Sequence, residues 1–547
     1  MSPPFQSSFS LWTIFAWGIT TIFRWLQKVF SVVCIWLLGP GISENCREIN
    51  NVQGSLDRPP ALAVYSSGRE MEELATIRTS GRSFQADLRR LAECSEYFRA
   101  LSQSQMREMK DNIIDLPHIP SRAFCSFLEF SFYQNLEVTE VDLPEFIEAA
   151  NYLLANHFLS ACLRFLKIVL TPENYQFYLD FAKSITCEEM LVEIYSYLSA
   201  HMLELSSVSH SLELSERNRI ITLRSEGRLF LCTLKKENLT AGKGTGTDAA
   251  RYLYLFERSE ETGTWSQGSK LPFLADKWNF TTAVLHNYLF VIGGYRKKAK
   301  KGFEFHMASF RYNPMTNCWA SVAPLLKRRR HFSTAVCEGY IFAVGGWYLD
   351  SLLAPDSSTA LYTAVERYDP WTDTWVFVSS LPLTDFIFSV SLSHDIPLTT
   401  VLEDCIYVVG TIQRTGEKLV LKYNVKEDSW SELLPTLTRA DTELSNLYFL
   451  GAVDKLYLIG GNSQENIVMT FCVKKQKWQK AKTMQKIALS GQGAILHHTA
   501  YMPAAEQNAI LQIDLKSFSA ELLPPLPISS FYEAVFHLHF KKDNHIY

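Results

Sequence analysis

Two hydrophobic periods divide the chain. From Asp87 to about Leu205, apolar residues recur at three- and four-residue steps, as in Phe124, Phe127, Leu128 and Phe132, or Phe146, Ala149, Ala150 and Leu153. That spacing lines one face of a helix and predicts a helical region. Just before it, Leu74–Thr79 and Arg82–Ala86 flank a Ser80-Gly81 turn and predict a short hairpin. Thr171-Pro172-Glu173-Asn174 predicts a helix start, with Thr171 as N-cap and the proline at the first helical position. Past residue 225 the period becomes two, which predicts strands. Residues 39–70 carry Gly39-Pro40-Gly41, Asn50-Asn51 and Pro59-Pro60 with little periodicity, and predict a linker.

The strand region repeats itself. Leu289-Phe-Val-Ile-Gly-Gly294 recurs as Ile341-Phe-Ala-Val-Gly-Gly346, Ile406-Tyr-Val-Val-Gly-Thr411 and Leu456-Tyr-Leu-Ile-Gly-Gly461. Each copy is followed by an aromatic residue seven positions before a tryptophan: Tyr312/Trp319, Tyr368/Trp375, Tyr423/Trp430 and Phe471/Trp478. Counted from Trp265, those tryptophans lie 54, 56, 55 and 48 residues apart. A period near 50 with a strand, a double glycine and a later tryptophan predicts propeller blades. A lone blade cannot bury both of its faces, so blades stack around an axis. The glycines let the chain leave the inner strand, and Asn313-Pro314 and Asp369-Pro370 supply outer turns. The first repeat, ending at Trp265, and the last, Ala494 to Leu522, are degenerate. Phe531-Tyr-Glu-Ala-Val-Phe-His-Leu is similar to Phe280-Thr-Thr-Ala-Val-Leu, so the tail is expected to supply the innermost strand of the first blade. Pairing of the two ends removes both exposed edges, and six blades are expected.

Composition narrows the class. The 547 residues, 47% hydrophobic and 20% charged with a formal net charge of -4, describe an ordinary globular chain of several domains. The weakly negative total argues against a nucleic-acid partner. Eleven cysteines stand singly with no CxxC pair, which fits reduced thiols in a cytoplasmic protein and neither zinc nor disulfides. The N-terminal stretch is different in kind. Leu11–Phe23 and Val29–Leu38 are largely apolar, and Arg24, Gln27 and Lys28 between them share one helix face. Neither apolar half reaches the ~18 residues of a membrane span. Four of the twelve tryptophans fall here, and tryptophan favours the membrane interface. Three readings stay open for residues 11–38: an interfacial helix touching a membrane, a true span, and an apolar leader that packs on protein or is removed.

Catalytic chemistry has no carrier in the sequence. There is no HExxH, GxSxG or P-loop, so no catalytic residue, cofactor or metal is expected, and the chain reads as a non-enzyme. Gly242-Lys-Gly-Thr-Gly-Thr lacks the strand and helix of a phosphate loop, and His497-His498 suggests no third ligand nearby. Two basic clusters stand out: Arg296, Lys297, Lys298, Lys300 and Lys301 after one double glycine, and Lys327, Arg328, Arg329 and Arg330 between two blades. They attract an acidic or phosphorylated segment, or else form a solvated or nuclear-import-like run.

The repeats over about residues 225–540 resemble Kelch repeats. Upstream, Ser95-Glu-Tyr-Phe-Arg-Ala-Leu, Met106-Arg-Glu108, Ile114-Asp-Leu-Pro, Ser121-Arg-Ala-Phe-Cys-Ser-Phe-Leu-Glu-Phe and Glu148-Ala-Ala-Asn-Tyr-Leu resemble a BTB domain, and Leu170 to Leu205 resembles the start of a BACK domain. The chain is thus similar to the BTB–Kelch proteins. The resemblance implies a multidomain fold: an α/β BTB-like domain, a short helical BACK-like segment, then an all-β six-bladed Kelch propeller. The expected boundaries are an apolar leader at 1–40, a linker at 41–70, the BTB-like domain at 71–170, truncated BACK-like helices at 171–222 and the propeller at 223–540. It implies that Met106 and Glu108 contact a cullin-3-type scaffold, as an apolar anchor and a rim charge. It places both basic clusters on the substrate-binding rim, with Trp347 and Tyr348 as an aromatic anchor. The implied function is a substrate-recognition adaptor of a cullin-RING ubiquitin ligase. A Kelch scaffold on membrane or cytoskeleton that engages no cullin is the alternative. Residues 44–73 show no clear counterpart of the segment that the family exchanges between subunits, and Ala86-Asp87 replaces its Ala-His pair at a buried pocket, so homodimerisation stays open. The BACK-like region is expected to stop after about 40 residues.

Overall fold

The structure is a computed structural model that describes residues 63–541 apart from short breaks, the longest at 237–249, 350–358 and 388–398. The apolar leader and most of the expected linker lie outside the described residues. The N-terminal domain has a sheet of β1 (Ala63–Tyr65), β2 (Leu74–Thr79), β3 (Ser83–Asp87) and β4 (Ile113–Leu116), in the order β1-β3-β2-β4. β2 and β3 are the expected hairpin, with Leu74 opposite Asp87. β4 joins β2 in parallel, with Thr76 opposite Ile113. Parallel pairing needs a long crossover, and α1 (Leu88–Cys94), α2 (Glu96–Ser102) and α3 (Arg107–Asp111) provide it. The apolar stripes of α4 (Ser121–Tyr133), α5 (Leu143–Tyr152) and α6 (Asn156–Val169) bury Phe124, Phe127, Phe146 and Phe158 under the sheet residues Ile77 and Phe84. Asp87, expected as a charge in a buried pocket, is buried as the N-cap of α1, its carboxylate accepting the Arg89 N–H at 3.1 Å.

Helices continue past Leu205, where the sequence pattern had weakened. α7 (Tyr175–Ser184) and α8 (Glu188–Ala200) are followed by α9 (Ser206–Ser211) and α10 (Leu214–Leu223). The last opens on a capping box in which Glu213 and Glu216 satisfy each other's backbone N–H groups. α7 starts one turn later than Thr171-Pro172 predicts, because Asn174 takes the cap position: its Oδ1 accepts the Thr171 N–H at 2.8 Å and its Nδ2 donates to the Val169 carbonyl. Among the described residues, no helix is long and apolar enough to cross a membrane.

Six antiparallel blades follow among the described residues. Blade 2 runs Thr281–Leu285, Tyr288–Ile292, Ser309–Asn313, Cys318–Val322; blade 3 runs Ser333–Cys337, Tyr340–Val344, Val365–Asp369, Thr374–Val378. Blades 4, 5 and 6 have second strands Cys405–Ile412, Lys455–Gly461 and Thr499–Ala504. Blade 1 combines both ends of the domain: Phe531–Phe540 pairs Arg228–Lys236, and Ala250–Glu257 and Thr264–Leu274 complete it. The tail therefore closes the ring as expected, and both degenerate repeats are full four-stranded blades.

The aromatic-to-tryptophan spacing now has a cause. The two residues face each other across the outer hairpin, as Tyr312 with Trp319, Tyr368 with Trp375 and Tyr423 with Trp430, with ring centroids 4.8–5.1 Å apart. Each outer hairpin also grips the blade before it. Trp375 Nε1 donates to the Ala323 carbonyl at 3.0 Å, while Asp373 accepts both the Ala323 N–H and the Tyr368 hydroxyl. Trp430, Asp428 and Tyr423 repeat this on Ser379. The double glycines of blades 2 and 3 leave the second strand with φ of +66° and +103° (Gly293, Gly294) and +67° and +95° (Gly345, Gly346), values that favour glycine. Blade 5 departs from the expectation, since Gly460 and Gly461 stay in the ladder opposite Ile467 and Asn466.

Candidate functional site

The first candidate surface lies on the N-terminal domain. Met106 is the N-cap of α3, and the five-residue helix ends at Asn112 with φ +50°, whose carbonyl accepts the Thr76 N–H at 2.9 Å. The segment is thus pinned to the sheet at its far end. Met106 is 57% exposed, and Glu108 is exposed one residue into the helix. An exposed methionine on a folded domain marks contact rather than core, especially with other apolar neighbours. Exposed apolar residues also gather where α2 meets the end of α5. The Glu96 and Tyr97 N–H groups donate to the Leu154 and Leu153 carbonyls, and Ser95 Oγ donates to Leu153 O. This staple brings Tyr97 against Tyr152 at 5.6 Å between centroids, and Tyr152 against His118 at 4.2 Å. Tyr152 is 45% and Leu154 52% exposed. Burial first, then the charges of Tyr152 and Glu108, push the Tyr97 phenol above its ordinary range, so Glu108 belongs to the same neighbourhood. The sequence pointed to Met106 and Glu108; Tyr152, Leu154 and His118 were missed, although a run such as Asn151-Tyr-Leu-Leu at a helix end is a usable signal.

The second candidate surface is the propeller rim. Arg296, Lys297 and Lys298 fall in a strand, Tyr295–Lys298, that pairs Gly302–Phe305 and Lys277–Trp278, so this run is a built hairpin rather than a loop. Their side chains, and Lys300, Lys301 and Arg330 entirely, lie outside the described residues. Trp347 and Tyr348 open a second hairpin, Trp347–Leu349 with Thr359–Leu361, and their side chains are likewise outside. Lys327 and Arg328 are exposed.

Arg329 is a correction. It is 0% exposed, and Nη1 donates to the Gly345 and Ala364 carbonyls, each at 2.9 Å, while Nη2 pairs with the equally buried Glu366 at 2.5 Å. Glu366 also accepts the Leu326 N–H. The guanidinium therefore ties blade 3 together and is not part of a rim patch. A signal existed: Lys277 stands four residues before its inner strand, as Arg329 does before its own, and it too is buried and donates to a double-glycine carbonyl, Gly293 O, and to Ala308 O.

A polar cluster between helices and propeller was not anticipated. Arg224, one residue past α10, is 0% exposed. Nε donates to His286 O at 2.6 Å, Nη1 to Ser199 O, and Nη2 to Asn287 O at 3.2 Å and Asn313 Oδ1 at 3.0 Å. Its guanidinium lies 3.7 Å from the centroid of the Tyr288 ring. Tyr288 donates its hydroxyl to Glu204 at 2.7 Å and accepts the Leu203 N–H at 3.1 Å. Arg311 approaches Glu204 at 3.3 Å, and Asn313 Nδ2 donates to Ala200 O at 2.7 Å. Burial, helped by Arg224, lowers the pKa of His286 to about 4. No group of three or more potential metal ligands occurs among the described residues.

Comparison with known proteins agrees with this architecture. A BTB/POZ domain profile matches residues 74–168, and a Kelch motif profile matches residues 328–382. Kelch repeat and BTB domain-containing protein 13 of Homo sapiens is 28% identical over 316 residues, covering 57% of this chain and 63% of that protein. Kelch domain-containing protein 7A of Mus musculus is 28% identical over 255 residues, covering 46% and 28%. The chain thus spans less than two thirds of the length of either. Kelch-like protein 15 of Gallus gallus is 22% identical over 438 residues, covering 64% of this chain and 84% of that protein. With an α/β domain of BTB type at one end and a six-bladed propeller carrying Kelch motifs at the other, the chain belongs to the BTB–Kelch family.

Proposed function

We propose that this protein is a substrate-recognition adaptor of a cullin-3-type ubiquitin ligase, acting in the cytoplasm without catalysis of its own. The N-terminal domain holds the scaffold and the propeller rim holds a protein target. The observation that carries this reading is the exposure of Met106 together with Glu108 at the start of α3. An apolar anchor that enters a groove with a charge at its edge is the usual build of an interface hot spot. Met106→Ala combined with Glu108→Ala is expected to weaken cullin binding by at least about 2 kcal/mol, roughly 30-fold, and to leave the propeller folded. Titration calorimetry with a purified cullin N-terminal region reads this, and undiminished binding by the folded double variant overturns the assignment. If the wild-type protein never binds, the non-ligase scaffold becomes the reading. For the target side, the exposed Lys327 and Arg328 favour an acidic or phosphorylated segment. Attachment to a membrane through residues 11–38 is a separate proposal, tested by whether deletion of residues 1–40 moves the protein to the soluble fraction.

A further inference from the structure

We infer that helices α8–α10 and the propeller are one rigid body, keyed by Arg224, so that the N-terminal domain is carried at a fixed angle to the propeller. Four donor contacts from one guanidinium are divided between two parts of the chain. Ser199 O belongs to α8, whereas His286 O, Asn287 O and Asn313 Oδ1 belong to blade 2. A guanidinium is a planar fork with fixed donor directions. Any tilt of the helices removes several acceptors at once and leaves a buried cation under-bonded, which is among the costliest defects a structure can hold. The arrangement is therefore all-or-none. Glu204 and Tyr288 repeat the division in reverse, since the helical side supplies the carboxylate and blade 2 supplies the phenol.

Two further observations extend the key into a plate. Trp371 on the outer turn of blade 3 receives Arg217 at 5.6 Å and His210 at 5.9 Å from its ring centroid, so a second blade is held by α9 and α10. A single buried apolar cluster also runs from Ile77 and Phe127 through Tyr178 and Ile194 to Tyr288, Phe290 and Trp375. Apolar packing thus runs alongside the polar key, from the helices into blades 2 and 3. The expected boundary at residue 222 is then not a hinge, because α8–α10 move with the blades.

The test uses the full chain, with spectroscopic labels introduced as non-natural amino acids at exposed Glu145 and exposed Lys516. The wild-type protein is expected to give one narrow distance distribution by pulsed electron resonance. Arg224→Met, which keeps bulk and removes every donor, is expected to broaden it, with amide exchange in α8–α10 and the His286-Asn287 turn rising at least tenfold. Exchange in blades 4 and 5 stays unchanged, and Arg224→Lys falls between. If Arg224→Met does not fold, Glu204→Gln is the variant read, with a smaller broadening expected. A broad wild-type distribution, or a narrow one that survives in folded Arg224→Met or Glu204→Gln, overturns the inference. The outcome does not depend on whether a cullin binds, so the two proposals fail separately.

Discussion

Single residues decide which charges are structural and which are free. Arg328 and Arg329 are neighbours of the same type, yet one is exposed and the other wholly buried. Replacing Arg329 with alanine leaves Glu366 buried and uncompensated, and is expected to destabilise by about 3–5 kcal/mol. Arg328→Ala is expected to stay within about 0.5 kcal/mol; denaturant midpoints of the two variants measure the contrast. Charge clustering suggested one patch, because a run of basic residues shows its sum and not its directions. Aligning Phe280 with Phe332 would have separated them, as it puts Arg329 in register with buried Lys277. His286 makes a second residue-level prediction. Its folded pKa of about 4 lies below the ordinary 6.5, so as pH falls the unfolded chain takes up the proton first. Stability that is complete above pH 6.5 is lost on the way down to about 4, by roughly 1–3 kcal/mol. Thermal unfolding across that range is expected to fall more steeply in the wild type than in His286→Gln.

At the scale of elements, the outer hairpin is the repeating unit, and its two aromatic residues have different duties. Trp375→Phe keeps the ring against Tyr368 but loses the hydrogen bond to Ala323, for an expected cost of about 1 kcal/mol. Trp375→Ala empties the site and is expected to cost about 3–5 kcal/mol. Equal losses in chemical denaturation would show that the link between blades contributes nothing. The hairpin was legible because its partners lie within one turn, where a spacing of seven is all that geometry requires. What Trp375 and Asp373 grip was not, since Ala323 lies about 50 residues upstream and meets them only when blades stack. The same limit hid Arg224. It follows the largely polar helix α10 and precedes a strand, a place that reads as surface until Ser199, His286 and Asn313 are assembled around it.

The molecule as a whole is held by contacts between distant parts of the chain. Blade 1 takes its inner strand from Phe531–Phe540, where Thr233 Oγ1 donates to Ala534 O across a separation of 301 residues. Asn287 then latches that strand to blade 2 by accepting the His539 N–H and donating to its carbonyl, each at 2.8 Å. Truncation after residue 530 is expected to open blade 1 and expose Arg228–Lys236 as an unpaired edge. Limited proteolysis of the truncated protein should cut first there, while residues 74–168 stay protected. Synthesis gives the same feature a clock. At about 5–20 residues per second, a ribosome needs roughly 15–60 seconds between the two partner strands, so the first waits that long beside a growing chain. During that interval Phe230 and Cys232, both buried once the ring is shut, face solvent or a chaperone. Abundance in cells is then expected to follow how quickly Phe531–Phe540 arrives and docks, and slow codons before it should lower yield without altering a single contact in the finished protein.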